Sequence, residues 1–449
     1  MTIQKFDTII IGGGNGGFGV SSVLAEAGHK IAFIEEREFG GVCPNRGCTP
    51  KKILVAAAQA LDHIERATDH GITVGKATLD WAALIERKNG MIGFIPGAMK
   101  GVAEKRGTVF EGRAEFTGTN TVRVGEAELE ADNIIIATGS VPRPLPIPGA
   151  EHLITSDEVL SDTVQPEEVV FIGGGVVALE FGHVYARAGS KVTILEVMPQ
   201  LLPRMDSDLV GKLVEESERV GITIHTGVSV NEIVDLDGRV EVQFEKGGQA
   251  QKVTADRAVN GAGRVANTEG LNLEAAGINV DRGRINVTES LQSTENKAIW
   301  VVGDALVGAP QLSPVATYEG QIVGRNIRDG GSESPNYDAL PSGVYAVPAL
   351  ATVGLTEAEA AEKFSNLKVT TNDMTGWFSG KSYNENVAWA KVLIDEDGDR
   401  VVGAHLIGHN ADDLIHVFSL AMQHGIPASA LQSSAYAYPS FSSDVKNLL

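Results

Sequence analysis

The sequence predicts an α/β fold assembled from two copies of one strand, turn, helix and strand unit, followed by a third region. Three observations predict it. A strand-like run, Phe6 to Ile11, ends in Gly12, Gly14 and Gly17. The same arrangement returns at Val169 to Ile172, with Gly173, Gly175 and Ala178. In each copy an acidic residue, Glu35 or Glu196, lies 23 positions beyond the first glycine. Two matches at equal spacing in the same context are a repeat rather than an accident, even in a chain with 52 glycines among 449 residues.

Each copy reads as a dinucleotide-binding fingerprint. In the first, Gly12 makes the tight turn, Gly14 lets a pyrophosphate approach the backbone, and Gly17 lets the helix pack closely on its strand. The helical stretch Val20 to Gly28 follows, with an N-terminus that favours phosphate charge. The next strand, Lys30 to Ile34, closes on Glu35, whose carboxylate can accept hydrogen bonds from ribose hydroxyls. In the second copy a helix runs to Gly189, and the strand Lys191 to Leu195 closes on Glu196. A βαβ repeat without ligand is the plainer alternative. A carboxylate at position 196 welcomes a free ribose 2′-hydroxyl and repels a 2′-phosphate, which favours NAD over NADP, although Arg204 downstream could compensate.

A chain of 449 residues suggests two to four domains, each able to bury its own core. Lys plus Arg at 37 against Asp plus Glu at 58 gives a net charge of −21. This repels phosphate backbones and anionic membranes, so neither nucleic acid nor membrane is an expected partner. The N-terminus, MTIQKFDTIIIGGG, enters a strand pattern without a targeting signal, and no run approaches 18 consecutive apolar residues, so a cytoplasmic location is expected.

Cys43 and Cys48 are the only cysteines, in GGVCPNRGCTPKK at 40–52. A bridge closing so short a loop stabilises a fold by only about 2 kcal/mol, and in a reducing compartment a close pair cycles rather than persists. The pair therefore points to redox, metal or nucleophilic chemistry, with two incidental buried thiols as the bland alternative. Thr49 and Pro50 follow Cys48, and proline is tolerated in the first turn of a helix. Cys48 is thus expected near a helix N-terminus, where the dipole and nearby cations lower a thiol pKa. Four intervening residues, including Pro44 and Gly47, can hold both sulfurs within bonding reach. Further along, VPRPLPIPG at 141–149 reads as a stiff extended linker, DGGSESP at 329–335 as a domain boundary, and DEDGD at 395–399 as a solvated hairpin turn. His63, His405, His409 and His416 show no metal-ligand spacing, and His183 reads as an ordinary helix residue.

On these segments the chain resembles the pyridine nucleotide-disulfide oxidoreductases, the family of dihydrolipoamide dehydrogenase, glutathione reductase and mercuric reductase, from residue 6 to about 444. The cysteine segment follows the first fingerprint as it does there. IIIATGS at 134–140, with Thr138 and Gly139, resembles the segment closing the first flavin half. NGAGRVANT at 260–268, with Gly263, is similar to the end of the nicotinamide domain. VVGDALVGAPQLSPVA at 301–316, with Gly303, Asp304 and Ala316, resembles the second flavin contact, and PALATVGLTEAEA at 348–360 the start of the dimerisation domain. The resemblance implies two Rossmann-like dinucleotide-binding domains, for FAD and NAD(P), plus a C-terminal α+β dimerisation domain. The implied bounds are 1–145 and 268–335 for FAD, 146–267 for NAD(P), and 336–449 for a homodimer interface whose partner helps complete the active site.

The resemblance also implies roles. FAD takes the first fingerprint and NAD, as NADH, the second. Cys48 is the charge-transfer thiol and Cys43 the outward interchange thiol. Lys52, one turn after Cys48 with Lys51 beside it, pairs with Glu180 near flavin N5, where its charge favours anionic reduced flavin; an exposed lysine and a helix-surface glutamate are the plainer alternative. Asp304 hydrogen-bonds the flavin ribityl chain. The implied function is transfer of hydride from NADH via FAD to the Cys43–Cys48 disulfide and on to a disulfide or related electrophile.

The sequence departs from the family near its C-terminus. Disulfide reductases there carry His-Pro-Thr with a glutamate five residues after the histidine. In AYAYPSFSSDVKNLL, Tyr438 stands at the histidine position and Ser443 at the glutamate position, with Asp444 one step late. A phenol with an ordinary pKa of about 10 is a weak proton shuttle, and losing an acid-base catalyst costs about 100-fold to 10,000-fold in rate. Mercuric reductases carry tyrosine in this segment but also a C-terminal cysteine pair, absent from KNLL. Ser22 and Val23 stand where glutathione reductases have substrate-binding arginines, which disfavours glutathione disulfide. Tyr436 and Tyr438 read most plainly as interface aromatics. Reduction of metal ions, quinones or other small acceptors is therefore the alternative, and a binding or assembly flavoprotein with residual diaphorase activity a third.

Overall fold

The computed structural model describes residues 3–281 and 283–449; Met1, Thr2 and Arg282, which fall inside the expected flavin-domain bounds, lie outside the described residues. The chain divides into two compact units, one of residues 1–51, 86–143 and 263–336, the other of residues 52–85, 144–262 and 337–449. Of the five divisions, the first two fall inside helices Cys48–Glu65 and Trp81–Ile92, the third inside the proline-rich linker, the fourth inside NGAGRVANT, and the last just beyond DGGSESP.

The first unit holds a seven-stranded sheet in the order Thr108–Glu111, Ile31–Glu35, Gln4–Ile11, Ala127–Ile136, Thr121–Val124, Ala114–Phe116, with Ile299–Val301 paired to Ala127–Ile136. The strands around Gln4–Ile11 are parallel. Their near-continuous apolar runs follow from burial on both faces: Ile9, Ile10, Ile134, Ile135 and Ile136 are all buried. The helix after the first fingerprint spans Asn15–Glu26, starting five residues before the expected Val20. The glycines in its first turns are what let it pack. A Cβ at Gly19 would lie 2.5 Å from the Thr317 carbonyl of helix Ser313–Asp329, and one at Gly320 would lie 2.3 Å from the Gly16 carbonyl.

The second unit repeats the device with a parallel sheet ordered Ile222–Thr226, Lys191–Glu196, Glu168–Ile172, Arg257–Asn260, and helix Val176–Arg187 after the turn. A three-stranded antiparallel meander (Val228–Asp235, Val240–Lys246, Gln249–Ala255) follows. Residues 337–449 form a five-stranded antiparallel sheet, Ser342–Val344, Leu350–Gly354, Arg400–Ile407, Trp389–Asp395, Leu367–Asp373, with helix Ala411–Gln423 packed on it. DEDGD is the turn joining two of these strands. His183 is fully buried between the Val347 carbonyl and Ser217, and burial first, then the Arg187 charge, pushes its pKa down to about 3; it serves as a neutral core residue.

Candidate active site

The two sulfurs sit at a break between helices. Cys43 lies in the short helix Val42–Arg46, Gly47 interrupts it, and Cys48 is the first residue of the long helix Cys48–Glu65. Asn45 fastens the turn by donating from Nδ2 to the carbonyls of Phe39 and Gly41, each at 3.0 Å, and Arg46 pairs with Glu38. Both thiols are free. Cys43 donates its proton toward the Cys48 sulfur; that hydrogen bond, aided by Ser313 and by the Lys51 charge and opposed by burial, pulls the Cys48 pKa down to about 6. The same hydrogen bond, with burial, drives Cys43 upward. The pair therefore shares one proton at neutral pH, leaving a thiolate at Cys48.

Ser313 was not foreseen. Its Oγ lies 3.5 Å from Cys48 Sγ, at the first residue of helix Ser313–Asp329. The local signal was available: Pro314 marks a helix start in QLSPVA, which sets the preceding hydroxyl at a helix N-terminus. Ser313→Ala is expected to raise the pH midpoint for alkylation of Cys48 by about one unit, roughly the worth of one hydrogen bond to a charged sulfur. Iodoacetamide labelling across pH, read on the Cys48 peptide by mass spectrometry, checks it.

The two fingerprints are built alike. Gly13 N–H donates to Glu35 Oε2 and Arg37 N–H to Glu35 Oε1, both at 2.7 Å. Gly174 N–H donates to Glu196 Oε2, and Met198 N–H to Glu196 Oε1 at 2.7 Å. Each carboxylate braces its own glycine turn while keeping lone pairs for other donors. Gly12 adopts φ 111°, and a Cβ there would collide with the Ala137 carbonyl at 2.2 Å; Gly173, at φ 101°, meets Gly261 in the same way. Gly17 packs against the Gly12 carbonyl, Ala178 is buried, and Gly14 and Gly175 sit at the N-caps of the two helices.

The other residues of the first unit that the sequence assigns to flavin binding lie as follows. Ser140 Oγ donates to Asp304 Oδ2 at 2.9 Å and accepts from Arg264 Nε at 2.8 Å. Gly303 N–H donates to Glu319 at 2.7 Å, beneath Ala316. Gly139 and Gly263 face open space, with φ 71° and 94°. Thr138 Oγ1 is buried without a hydrogen-bond partner among the described residues. Open glycines beside an unsatisfied buried hydroxyl, in the same unit as the helix N-terminus at Gly14, fit a dinucleotide that supplies phosphates and further polar groups.

In the second unit Lys52 and Glu180 meet on Tyr345. Lys52 Nζ lies 3.9 Å over the Tyr345 ring and 3.0 Å from Asp412 Oδ2. Glu180, 3% exposed, accepts from Tyr345 N–H at 2.9 Å. Tyr345 and Asp412 were not foreseen, because nothing near them in sequence announces a lysine partner. Tyr438 is 76% exposed, with its ring 6.4 Å from Phe378. Ser443 caps its own turn, its Oγ donating to Ser440 O at 2.6 Å. Asp444 accepts from Ser379, and burial raises its pKa. Neither residue is turned to the task of a glutamate orienting position 438.

Comparison with known proteins agrees with this geometry. The family model described as pyridine nucleotide-disulphide oxidoreductase matches residues 6–320, and that of the same family's dimerisation domain matches residues 340–449. A dihydrolipoyl dehydrogenase of Chlamydia muridarum is 31% identical over 97% of this chain and 94% of its own length. A glutathione reductase of Burkholderia cepacia is 31% identical over 100% of this chain and 99% of its own. Among solved structures, the Cu(II) complex of the HOCl-induced flavoprotein disulfide reductase RclA from Escherichia coli superposes with a TM-score of 0.89 at 28% identity, covering 99% of both chains. No helix among the described residues is long and apolar enough to cross a membrane. The chain belongs to the pyridine nucleotide-disulphide oxidoreductase family: it is a flavin-dependent enzyme that binds FAD and a pyridine nucleotide, with two Rossmann-like domains and a dimerisation domain that supports a homodimer.

Proposed function

We propose that the enzyme carries two electrons from NADH through FAD to the Cys43–Cys48 pair, and from there to a small disulfide or related electrophile. The observation that carries this reading is the placement of the two sulfurs at a helix break, with Cys48 heading its helix 3.5 Å from Ser313 Oγ, an arrangement that favours a thiolate at Cys48 beside a protonated Cys43. Bound flavin supplies the two-electron carrier between nicotinamide and sulfur. The chain's residues do the rest. With the pair reduced, Cys43 gives its proton to Cys48 and attacks one sulfur of the acceptor disulfide, expelling one thiolate. Cys48 passes that proton to the departing thiolate and then, as a thiolate, attacks Cys43, expelling the second thiolate and closing the Cys43–Cys48 bond. Two electrons leave the pair, and two protons complete the product thiols. Lys51, the cation that acts on the Cys48 sulfur, holds the thiolate form. Lys52, paired with Asp412 and set over the Tyr345 ring, keeps a cation one turn further along that helix, and Glu180 accepts from the Tyr345 N–H. Thr138, Gly139, Gly263, Gly303, Asp304 and Ala316 hold the flavin, and Glu35 its ribose. Tyr438 comes from the partner subunit to the acceptor side.

Reduction of a metal ion is a second reading, favoured by two observations. The exposed Tyr438 has no imidazole or carboxylate to make it an efficient acid, and a metal ion needs no protonated leaving group. A similar structure is a Cu(II) complex. The test is anaerobic reduction with NADH followed by lipoamide, glutathione disulfide, cupric ion, mercuric ion and a quinone in turn. Fast turnover of lipoamide is expected. Turnover of metal ions or quinone alone would overturn the leading reading.

Glu196 makes NADH the expected donor. Val197 beside it is exposed and supplies no charge for a 2′-phosphate. Val197→Arg is expected to lower KM for NADPH about tenfold, the worth of one charge-assisted hydrogen bond, with KM for NADH little changed. Steady-state kinetics with both cofactors measure it.

A further inference from the structure

We propose that Tyr383, His409 and Phe441 form an aromatic clamp that sets the position of the C-terminal segment carrying Tyr438, with His409 as a positioning residue for the acceptor half of the reaction. The inference rests on the reading that Tyr438 serves that half. His409 follows strand Arg400–Ile407, in the turn before helix Ala411–Gln423. Its imidazole stacks against two rings: the Tyr383 ring lies 4.6 Å away at 26° and the Phe441 ring 4.8 Å away at 20°. Tyr383 and Phe441 also touch each other, at 5.5 Å.

The clamp is anchored on one side by charge. His409 Nδ1 is 3.4 Å from Glu385 Oε1, and Arg66 Nη1 is 3.1 Å from the same oxygen. Arg66 also donates to the carbonyls of Tyr383 at 2.7 Å and Asn384 at 3.1 Å, and is itself held by Asp62 at 2.6 Å. Arg66 and Glu385 are both nearly inaccessible, so the segment 383–385 is strapped down before His409 stacks on it. On the other side Phe441 opens the turn Phe441–Asn447, whose Val445 is buried in the C-terminal core.

Tyr438 itself is mostly solvated. Within its own subunit its location is set by the Phe378 ring and by its flanks, and Phe441, three residues on, is the flank that His409 stacks on. Stacked aromatic pairs stabilise an arrangement beyond the area they bury. Losing the imidazole removes two of the three ring contacts and leaves Phe441 with Tyr383 alone. Misplacing a reacting group by about 1 Å costs on the order of 100-fold in rate.

His409→Ala is expected to lower acceptor turnover about 10-fold to 100-fold, with the rate of flavin reduction by NADH unchanged. His409→Phe, which keeps a stacked ring and loses both nitrogens, is expected to stay within about twofold of wild type. The double variant with Tyr438→Ala is expected to be no slower than Tyr438→Ala alone, since both act through one position. Phe441→Leu, which keeps apolar bulk but removes a stacked face, is expected to lose turnover in part and serves if His409→Ala fails to fold. Wild-type turnover in His409→Ala or Phe441→Leu overturns the clamp. A His409→Phe variant as slow as His409→Ala overturns it too, assigning the effect to imidazole chemistry. Wild-type turnover in Tyr438→Ala overturns the reading beneath it; a slow Tyr438→Ala beside a wild-type His409→Ala overturns the clamp alone.

Discussion

Replacing Cys43 by serine is expected to leave reduction of the flavin by NADH intact and to lower disulfide turnover on the order of 1000-fold or more, as removal of a covalent nucleophile does. The asymmetry follows from where the proton sits. In the wild-type pair Cys43 holds the proton and Cys48 the charge. A serine at 43 can still donate to the Cys48 sulfur, so the thiolate survives, but no sulfur remains to accept the substrate's. Cys48→Ser removes the charge itself. Both variants therefore lose disulfide turnover, while only Cys48→Ser also loses the long-wavelength colour of a thiolate against oxidised flavin. Stopped-flow absorbance under argon separates the two. Unchanged disulfide turnover in Cys43→Ser would mean that electrons leave the enzyme without passing through the pair.

Lys391→Met is expected to destabilise the fold by about 3–5 kcal/mol, the usual cost of stripping one partner from a buried ion cluster. Lys391 is 2% exposed in its side chain, on the fully buried strand Trp389–Asp395. Its ammonium reaches Asp206 at 3.0 Å, Asp208 at 2.7 Å and Glu357 at 2.6 Å. Burial alone would lower the lysine's pKa; the Asp208, Glu357 and Asp206 carboxylates raise it instead. Burial alone would raise Asp206, yet Lys391 and the neighbouring charges bring it below the usual carboxylate range. Asp206 also caps helix Ser207–Arg219, so the methionine variant leaves a buried carboxylate unbalanced at a helix start. The sign with pH follows from these directions. A carboxylate depressed in the fold contributes stability that is present above its unfolded pKa of about 4 and lost as pH falls through the folded value. A raised lysine contributes stability present below about 10 and lost only as pH climbs through its folded value. Wild type should therefore lose this contribution only toward the acid and alkaline extremes, and Lys391→Met should lack it at neutral pH. Urea unfolding of FAD-loaded protein at pH 7 and pH 4 measures both.

The parts of this enzyme that sequence made legible are those whose chemistry is local. Gly12 and Glu35 stand 23 residues apart in a strand, turn, helix and strand, and the Gly13 to Glu35 hydrogen bond is the contact which that spacing allows; the same holds at Glu196. Cys48 could be placed at a helix start because Pro50 follows it. The early start of helix Asn15–Glu26 was hidden, because its glycines answer to helix Ser313–Asp329, some 300 residues away. Ser313 reaches Cys48 across 265 residues and Lys52 reaches Asp412 across 360; no periodicity or propensity carries such pairings. His409 shows no metal-ligand spacing in sequence, and the Tyr383 and Phe441 rings that stack against it come from segments no local pattern joins to it.

The central claim is that Cys48 is a thiolate at neutral pH in the reduced pair. The direct measurement is the pH dependence of the long-wavelength absorbance of FAD-loaded enzyme after anaerobic addition of one equivalent of NADH. A band that persists down to about pH 6, fades below it, and is absent in Cys48→Ser is the predicted result. A band that appears only above about pH 8.5, the ordinary thiol value, or that survives in Cys48→Ser, would contradict the account.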